Sequence, residues 1–253
     1  MERALGATVS PRPVSSKLGV HSAQSIWLAR QSRVGDLMNV SLPAVPEFVR
    51  QRYNRLAPWY VLFEWLFWLP RGIREAAVRG LELRPGERVL EVGCGTGRNL
   101  KYLEAAVGPD GHIFGVDLSE KMLARCQALC EKRGWQNVTL VRGDALEYTG
   151  PGQVDAVLFS LSYCTMLHRK EILGHVWSQL RPRGRLVILE GKTIPGWLGR
   201  LLHPLIVFEM KATVLGDPDY RAWEDVEALT DEVETKEELL GGYFICRGRK
   251  SAA

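Results

Sequence analysis

The sequence lacks a long apolar run, a block of like charges and an even set of cysteines, and each absence excludes a class of protein. The 253 residues have a net charge of only +4, without a Lys/Arg-rich block or alternating basic and aromatic residues, so nucleic acid is not expected as a partner. The aromatic stretch at residues 61–70 is shorter than the roughly 20 apolar residues of a membrane-spanning helix, and Glu64 interrupts it. No apolar segment precedes a small-residue cleavage site, and therefore secretion is not expected.

The five cysteines are odd in number and scattered, which is typical of a reducing compartment rather than of a disulfide framework. Cys126 and Cys130 stand one helical turn apart, but no second pair of ligands follows at zinc spacing, so no metal site is predicted. Because 46% of the residues are hydrophobic, the chain can form one large core, and a single α/β domain accounts for it.

A glycine-rich stretch at residues 89–100, VLEVGCGTGRNL, is the most informative part of the chain. It begins as a buried strand, breaks at Gly93, Gly95 and Gly97, and continues as a helical pattern. Glycines permit backbone angles that a Cβ forbids, and they let a ligand lie against the main chain and the helix N-terminus. The spacing Glu-x-Gly-x-Gly-x-Gly differs from the Gly-x-Gly-x-x-Gly fingerprint of dinucleotide enzymes.

Four further strand patterns follow, at residues 112–117, 138–145, 154–160 and 184–190. The first ends in Asp117 and the second in Asp144 and Ala145, which places two carboxylates at the carboxyl ends of neighbouring strands. There one acid can accept hydrogen bonds from both hydroxyls of a ribose, and Asp144 with the next amide can bind an adenine edge.

Helical patterns separate the strands, at residues 71–81, 99–107, 121–132 and 169–180, with Ser119 as the expected N-cap of the third. Pro and Gly at residues 181–184 predict a loop before the fifth strand, and residues 233–237 and 242–248 predict a closing hairpin. Alternating strands and helices predict a parallel sheet with helices on both faces.

In this order and at these intervals, the motifs resemble those of class I S-adenosylmethionine-dependent methyltransferases over roughly residues 50–250. The resemblance implies an α/β fold, a Rossmann-like doubly wound sheet of seven mostly parallel strands with an antiparallel C-terminal hairpin. It also implies S-adenosyl-L-methionine as the cofactor. Its methionine part would lie over Gly93, Gly95 and Gly97, and Glu91 would brace this loop. The ribose would be bound by Asp117, and the adenine would pack on Leu118 and Met122 and contact Asp144 and Ala145 at its edge. Ser160 would face the methyl-donor end. Cys94 is interpreted as a small packing residue of the cofactor loop.

The segment before the core carries a Tyr-x-x-x-Ala-Pro-x-Tyr pattern that begins at Tyr53 and ends at Tyr60. It is similar to ubiquinone/menaquinone C-methyltransferases and bacterial phosphatidylethanolamine N-methyltransferases, although Val61 stands where those families usually have aspartate. The resemblance implies that both tyrosines cap the cofactor and close the pocket against water.

Two apolar segments have two interpretations each. Trp65 and Trp68, with their neighbouring leucines, either pack on the sheet and cofactor or face a lipophilic substrate or a membrane surface. Residues 194–218 are either a packed connector or a substrate lid, and we favour the lid because a strongly apolar run beside the pocket needs something to cover. The expected lid elements are therefore residues 50–70 and 194–218.

Residues 1–45 differ from the rest because arginine and serine recur, prolines interrupt and no period is sustained. We expect a disordered N-terminal extension, with Met38 as an alternative start, ahead of a methyltransferase domain at residues 46–250. An organellar transit peptide is the alternative. The expected location is the cytoplasm, and a peripheral membrane contact is left open.

The chemistry expected of such a site is to hold an acceptor in line with an activated methyl group and to exclude water. A neutral amine acceptor needs no base, whereas a phenol or ring carbon does. The possible bases are Tyr60, Tyr163, His168 and Glu190. Three hypotheses remain: transfer to a small lipophilic acceptor, either a phospholipid-type amine or a quinone-type ring; transfer to a soluble metabolite; and a non-catalytic cofactor-binding protein. We favour the first, and the oligomeric state is not predicted.

Overall fold

The structure, a computed structural model, describes residues 72–150, 152–197, 199–201, 203–204 and 219–252. Several predictions therefore lie outside the described residues. They concern the extension at residues 1–45, the motif of Tyr53 and Tyr60, the aromatic segment at residues 61–70 and most of the proposed lid at residues 205–218.

A seven-stranded sheet forms the centre of the described part. Its strands are β1 (Arg88–Val92), β2 (His112–Asp117), β3 (Val138–Arg142), β4 (Val154–Ser160), β5 (Leu180–Gly191), β6 (Val233–Glu238) and β7 (Tyr243–Arg249). They lie in the order β3-β2-β1-β4-β5-β7-β6. The first five pair in parallel, and β7 runs antiparallel to both β5 and β6. The predicted fold class, with its mostly parallel sheet and C-terminal hairpin, is confirmed.

In the described part of the chain, helices and one short turn precede or connect these strands. They are α1 (Ile73–Gly80), α2 (Leu100–Val107), α3 (Glu120–Arg133), a 3₁₀ turn (Tyr163–Thr165), α4 (Arg169–Gln179) and α5 (Ala222–Glu227). As predicted, Ser119 caps α3, and its side chain accepts a hydrogen bond of 3.3 Å from the amide of Met122. Alternate residues of β1 face opposite cores: Leu90 packs on the side of α4 and α5, and Val89 packs on the side of α1, α2 and α3.

The predicted loop at residues 181–184 is instead the irregular beginning of β5. Leu180 already pairs with Val154, and the register then shifts before the regular pairing resumes. Arg183 adopts a φ of 61°, and its amide donates to the carbonyl of Lys250 over 3.1 Å. The chain after β7 thus supplies hydrogen bonds that keep this stretch in the sheet despite Pro182.

Arg185 of β5 fixes α1 to the amino-terminal part of the sheet. Its Nε donates to the carbonyl of Leu81, directly after α1, over 2.7 Å, and its guanidinium forms a buried ion pair with Glu87. The other end of α1 is thereby directed towards the carboxyl ends of β1 and β4.

Candidate functional site

A crevice opens at the carboxyl ends of β1, β2, β3 and β4 and encloses about 1050 Å³ with its open mouth. This is the edge at which doubly wound sheets bind their ligands. The ends of these strands, the loops that follow them and side chains from α1, α3 and α4 line the crevice.

The three glycines after β1 each have a positive φ, but for different spatial reasons. A Cβ on Gly93 would lie 2.5 Å from the Cβ of Ser162, and one on Gly97 would lie 2.7 Å from Sγ of Cys126. Around Gly95, with a φ of 54°, nothing lies within 4 Å of that position. Gly93 and Gly97 are therefore required by packing, whereas Gly95 borders open space in the crevice.

Cys94 lies between these glycines and is 4% exposed. Its sulfur packs under β2, because a Cβ on Gly115 would lie only 3.0 Å from it. A contact with Cys126 and burial both raise the pKa of the Cys94 thiol. A protonated, buried thiol is a poor nucleophile, and Cys94 also lines the crevice.

Asp117, the last residue of β2, connects two loops at the crevice. Its Oδ2 accepts from the amide of Gly95 over 2.8 Å, and its Oδ1 accepts from the amide of Ser119 over 2.8 Å. Burial raises the pKa of Asp117, and these two amide hydrogen bonds oppose that rise. Because a carboxylate oxygen can accept two hydrogen bonds, each oxygen keeps capacity for a ligand hydroxyl.

The wall beyond Asp117 combines apolar side chains with a polar edge. Leu118 and Met122 both line the crevice, and Met122 is 3% exposed. Directly after β3, Asp144 and Ala145 also line it, and Asp144 accepts from the amide of Leu146 over 2.9 Å. The structure thus brings together the four residues that the sequence assigned to a flat ring and its polar edge.

Glu91 lies at the base of the crevice with one of its two oxygens unused. It is 1% exposed, and Oε1 accepts from Nδ2 of Asn99 over 2.6 Å. Oε2 is buried and has no hydrogen-bond partner among the described residues, and the same holds for Oγ1 of Thr96. Burial raises the pKa of Glu91 to about 7, against the opposing effects of Asn99 and Arg74. Buried polar atoms are nearly always paired, so this pair of atoms indicates a ligand that brings its own donors.

Arg74 of α1 reaches into the crevice, and the sequence analysis missed it. Its Nη1 donates to Oγ of Ser160 over 3.1 Å and lies 3.5 Å from Oδ1 of Asn99. The available signal was its position three and four residues before Ala77 and Val78, on the face of the helix that the pattern assigned to the core. Thr96 and Asn99 were missed as well, although both belong to the glycine-rich stretch.

The far end of the crevice, past Ser160, is largely apolar. Met166, Leu167 and Ile172 line it together with His168. Ser160 is 6% exposed and lies where β4 ends, between Arg74 and this apolar end. Of the predicted bases that the structure describes, His168 is therefore the one that borders the crevice.

The structure does not bring Tyr163 to the crevice, which corrects its prediction as a catalytic residue. Its side chain is fully buried, and its hydroxyl donates to Oδ2 of Asp225 over 2.8 Å. Burial and the Asp225 carboxylate raise the pKa of Tyr163. A neutral phenol whose proton is held by Asp225 cannot take a proton from a substrate.

Glu190 is also outside the crevice lining. It is 4% exposed, and its Oε1 accepts from the amide of Cys164 over 3.1 Å. Burial raises the pKa of Glu190 to about 7, against hydrogen bonds from the amides of Cys164, Tyr163 and Ser162. The residue therefore holds the 3₁₀ turn after β4. Tyr53 and Tyr60 lie outside the described residues. Within the described stretches, no helix combines the length and apolarity needed to cross a membrane.

Comparisons with known proteins point to one family. Residues 89–184 match the family described as a methyltransferase domain. The demethylmenaquinone methyltransferase of Geobacillus kaustophilus is 32% identical over 118 residues, which make up 46% of this chain and 50% of that protein. The enzyme of the same name from Listeria monocytogenes is 28% identical over 127 residues, 49% of this chain and 54% of that protein. The chain thus spans about half the length of these relatives.

Solved structures share the fold at low identity. A SAM-dependent methyltransferase from Aquifex aeolicus has a TM-score of 0.55 and 19% identity, over 86% of this chain and 97% of that chain. Phosphoethanolamine N-methyltransferase 2 of Haemonchus contortus, solved with S-adenosyl-L-methionine, has a TM-score of 0.59 and 20% identity, over 77% and 46% of the two chains. At these identities the likeness concerns the fold. The chain thus contains a methyltransferase domain at residues 89–184, and it shares its seven-stranded sheet with solved S-adenosylmethionine-dependent methyltransferases.

Proposed function

We propose that the protein binds S-adenosyl-L-methionine in the crevice and catalyses transfer of its methyl group to a small lipophilic acceptor by in-line displacement. The observation that carries the proposal is the unpaired buried Oε2 of Glu91, which lies in a crevice where Gly95 leaves the main chain open. A ligand with an ammonium group can pair with the free oxygen of Glu91, and its chain can lie against the open backbone at Gly95. When bound, S-adenosyl-L-methionine supplies a sulfonium methyl group that is already activated for transfer.

Each part of the cofactor has a chemically matched group in the crevice. Glu91 can bind the ammonium and Arg74 the carboxylate of the methionine part, since both line the crevice beside the glycine loop. Asp117 can accept the ribose hydroxyls with the capacity left on its two oxygens. Leu118 and Met122 offer an apolar face for adenine, and Asp144 with the Ala145 amide offers its polar edge, as the family resemblance implies.

The acceptor is proposed to bind at the apolar end of the crevice, past Ser160. Met166, Leu167 and Ile172 favour an apolar body there, and His168, which lines the same end, is the proposed base if the acceptor is a phenol or a ring carbon. The relatives are named for demethylmenaquinone, which fits a quinone-type ring. The structural neighbour is named for phosphoethanolamine, which shares its amine and phosphate with a phospholipid-type amine but is itself water-soluble. An amine acceptor does not require the base.

Residues 194–218 are proposed to cover this end as a lid. Asp219, which directly follows the segment, supports this interpretation because it contacts Thr193, directly before the segment, and His203 within it. Its Oδ1 accepts from the hydroxyl of Thr193 over 2.9 Å, and its Oδ2 lies 3.0 Å from Nε2 of His203. A segment closed at its base is suited to exclude water from the reaction.

We further infer a cytoplasmic location with peripheral contact at the membrane. The five cysteines are buried free thiols, which is typical of a reducing compartment. A lipophilic acceptor is concentrated in the bilayer, so access to it requires contact with the bilayer surface.

Calorimetric titration with S-adenosyl-L-methionine tests cofactor binding. We expect Asp117→Ala to weaken binding by roughly tenfold or more, because it removes a charged acceptor of ribose hydroxyls. Asp110→Ala is the matched control, since Asp110 is an exposed acid in the turn before β2. Absence of binding by the unmodified protein, or equal binding by Asp117→Ala, contradicts the proposal.

Incubation with a deuterated methyl donor and separate lipid and polar cell extracts, followed by mass spectrometry, tests the acceptor class. We expect the label in the lipid pool. Label in the polar pool alone contradicts a lipophilic acceptor and indicates a soluble metabolite. Intact cofactor binding without label in either pool indicates a non-catalytic protein.

A further inference from the structure

Five large apolar side chains are exposed among the described residues, and all five follow strands at the edge where the crevice opens. They are Leu167, Trp197, Leu201, Leu239 and Leu240, with exposed fractions of 52, 71, 67, 51 and 83%. Leu167 follows β4 and lines the crevice, and Trp197 and Leu201 follow β5. Leu239 and Leu240 form the turn between β6 and β7, and Tyr243 after this turn pairs with Gly191 at the end of β5. We refer to these five residues as the apolar rim.

The turn residues of the apolar rim are unfavourable for folding. Leu239 has a φ of 49° and Leu240 a φ of 55°, and Gly241 follows with a φ of 81°. Left-handed positions of a hairpin turn favour Asn, Asp or Gly, because a larger L-residue is strained there. Two leucines that are both strained and exposed do not stabilise the isolated protein, so we expect them to serve an interaction with another molecule.

The hairpin turn and the segment after β5 form a continuous surface. The amide of Lys192 donates to the carbonyl of Gly242 over 2.9 Å, and a Cβ on Gly241 would lie 2.9 Å from Cδ of Pro195. The turn therefore rests on residues 194–195, directly before Trp197. Leu167 extends the apolar rim to the crevice, because it is both exposed and a lining residue.

Charged residues near the apolar rim are compatible with an anionic surface. The acids that precede the turn are both paired, Glu237 with Lys192 and Glu238 with Lys236. Arg200, between Trp197 and Leu201, is exposed. Lys170, three residues after Leu167, is 70% exposed and forms an ion pair of 3.2 Å with the Asp225 carboxylate. Basic side chains that flank exposed Trp and Leu are the pattern of proteins that bind anionic lipid surfaces.

We propose that the apolar rim inserts into the surface of a bilayer that contains anionic phospholipid, and thereby presents the crevice to acceptors dissolved in that bilayer. The proposal rests on the proposed function for its purpose, because only a lipophilic acceptor requires this delivery. The rim residues stand on three separate segments of the chain rather than on one flat face. Separate protruding side chains can enter the lipid headgroup region independently, and Trp197 can bury its ring there while its N–H stays hydrated.

The test is flotation of the full-length, cofactor-free protein with vesicles of phosphatidylcholine alone or mixed with phosphatidylglycerol. We expect binding to the mixed vesicles. The affinity of the double variant Leu239→Asn/Leu240→Asn for the mixed vesicles should be at least roughly tenfold lower, because the variant removes two large apolar side chains from the contact. Its melting temperature should rise, by roughly 2–4 °C, because Asn tolerates the left-handed backbone. The control Leu239→Met/Leu240→Met keeps the apolar surface and should bind as the unmodified protein does.

Loss of lipid binding together with a gain in stability is not expected of a purely structural turn. The proposal is overturned if the unmodified protein does not bind mixed vesicles, or if the asparagine variant binds them equally well. It is also overturned if the rim instead joins two copies, seen as a dimer without lipid that the asparagine variant dissociates. Calorimetry with S-adenosyl-L-methionine on the same samples separates the two proposals: cofactor binding without lipid binding removes only the docking surface, and lipid binding without cofactor binding removes only the proposed function.

Discussion

At Glu91, a buried carboxylate has one oxygen bonded to Asn99 and the other without a partner among the described residues. Burial raises its pKa from 4.5 to about 7, so the folded protein holds this proton more tightly than the unfolded chain does. The stabilisation by the protonated form is complete below about pH 4.5 and is lost as the pH rises through about 7. Glu190, also raised to about 7, acts in the same direction.

We therefore expect the variant Glu91→Gln to be more stable relative to the unmodified protein at about pH 8 than at about pH 5, by up to roughly 3 kcal/mol. The reason is that glutamine keeps the acceptor for Asn99 but carries no charge to bury. Urea unfolding of the cofactor-free proteins at both pH values measures the difference. The variant Glu190→Gln leaves Glu91 intact and removes the other carboxyl group whose pKa is about 7, so the pH-dependent contributions of the two residues to stability can be compared. A pH-independent difference for Glu91→Gln would mean that the carboxylate does not titrate in this range.

The residues of the site differ in how far the sequence could predict them. Asp117 and Asp144 could be found because the ends of the strands are visible in the sequence pattern, and parallel strands end at one edge of the sheet. Arg74 could not, since its contact with Ser160 depends on how α1 lies across the sheet. Tyr163 was assigned wrongly because Leu161 takes a φ of 58°, which turns the chain at the end of β4 and directs Tyr163 into the core.

In the glycine loop, the effect of a substitution on stability can be distinguished from its effect on cofactor binding. Gly95 and Gly86 both have a positive φ, 54° and 85°, and neither has an atom within 4 Å of the Cβ position. Gly95 lines the crevice, whereas Gly86 lies in the turn before β1. Alanine at either position should destabilise the fold by a similar amount, roughly 1–2 kcal/mol. Because the methyl group at Gly95 would occupy the crevice, only Gly95→Ala should weaken cofactor binding.

Thermal unfolding and calorimetric titration of the two variants measure these effects. The substitution Gly97→Ala supplies the opposite case, because its Cβ would lie 2.7 Å from Sγ of Cys126, and it should lower stability more than either. Equal cofactor affinity in Gly95→Ala and Gly86→Ala would show that the cofactor does not lie on this backbone.

Most elements followed from the sequence pattern, because strands buried on both faces read as continuous apolar runs and helices show their period. The start of β5 did not. Pro182 and Gly184 indicate a loop, yet Lys250, which lies far along the chain, supplies the backbone partners that keep this stretch paired. Such long-range partners have no signature in the local pattern.

At the scale of the whole molecule, the fold tolerates an unsatisfied carboxylate at the base of the crevice, and ligand binding is the event that can relieve it. The sheet fixes Glu91 on β1 while α1, held by Arg185 at its far end, brings Arg74 beside it. Stability of the free protein and affinity for a cationic ligand are therefore linked through one proton.

This linkage predicts pH-dependent cofactor binding. An ammonium group beside Glu91 favours the carboxylate, and at about pH 6 the residue, with a pKa of about 7, must first release its proton. The affinity for S-adenosyl-L-methionine should therefore be about five- to tenfold lower at about pH 6 than at about pH 7.5. Titration in two buffers of different ionisation enthalpy should show a proton released on binding at the lower pH. In Glu91→Gln the released proton should vanish and the affinity should no longer rise with pH. If the variant keeps the pH dependence of the unmodified protein, another group controls it and the assignment of the ammonium to Glu91 is wrong.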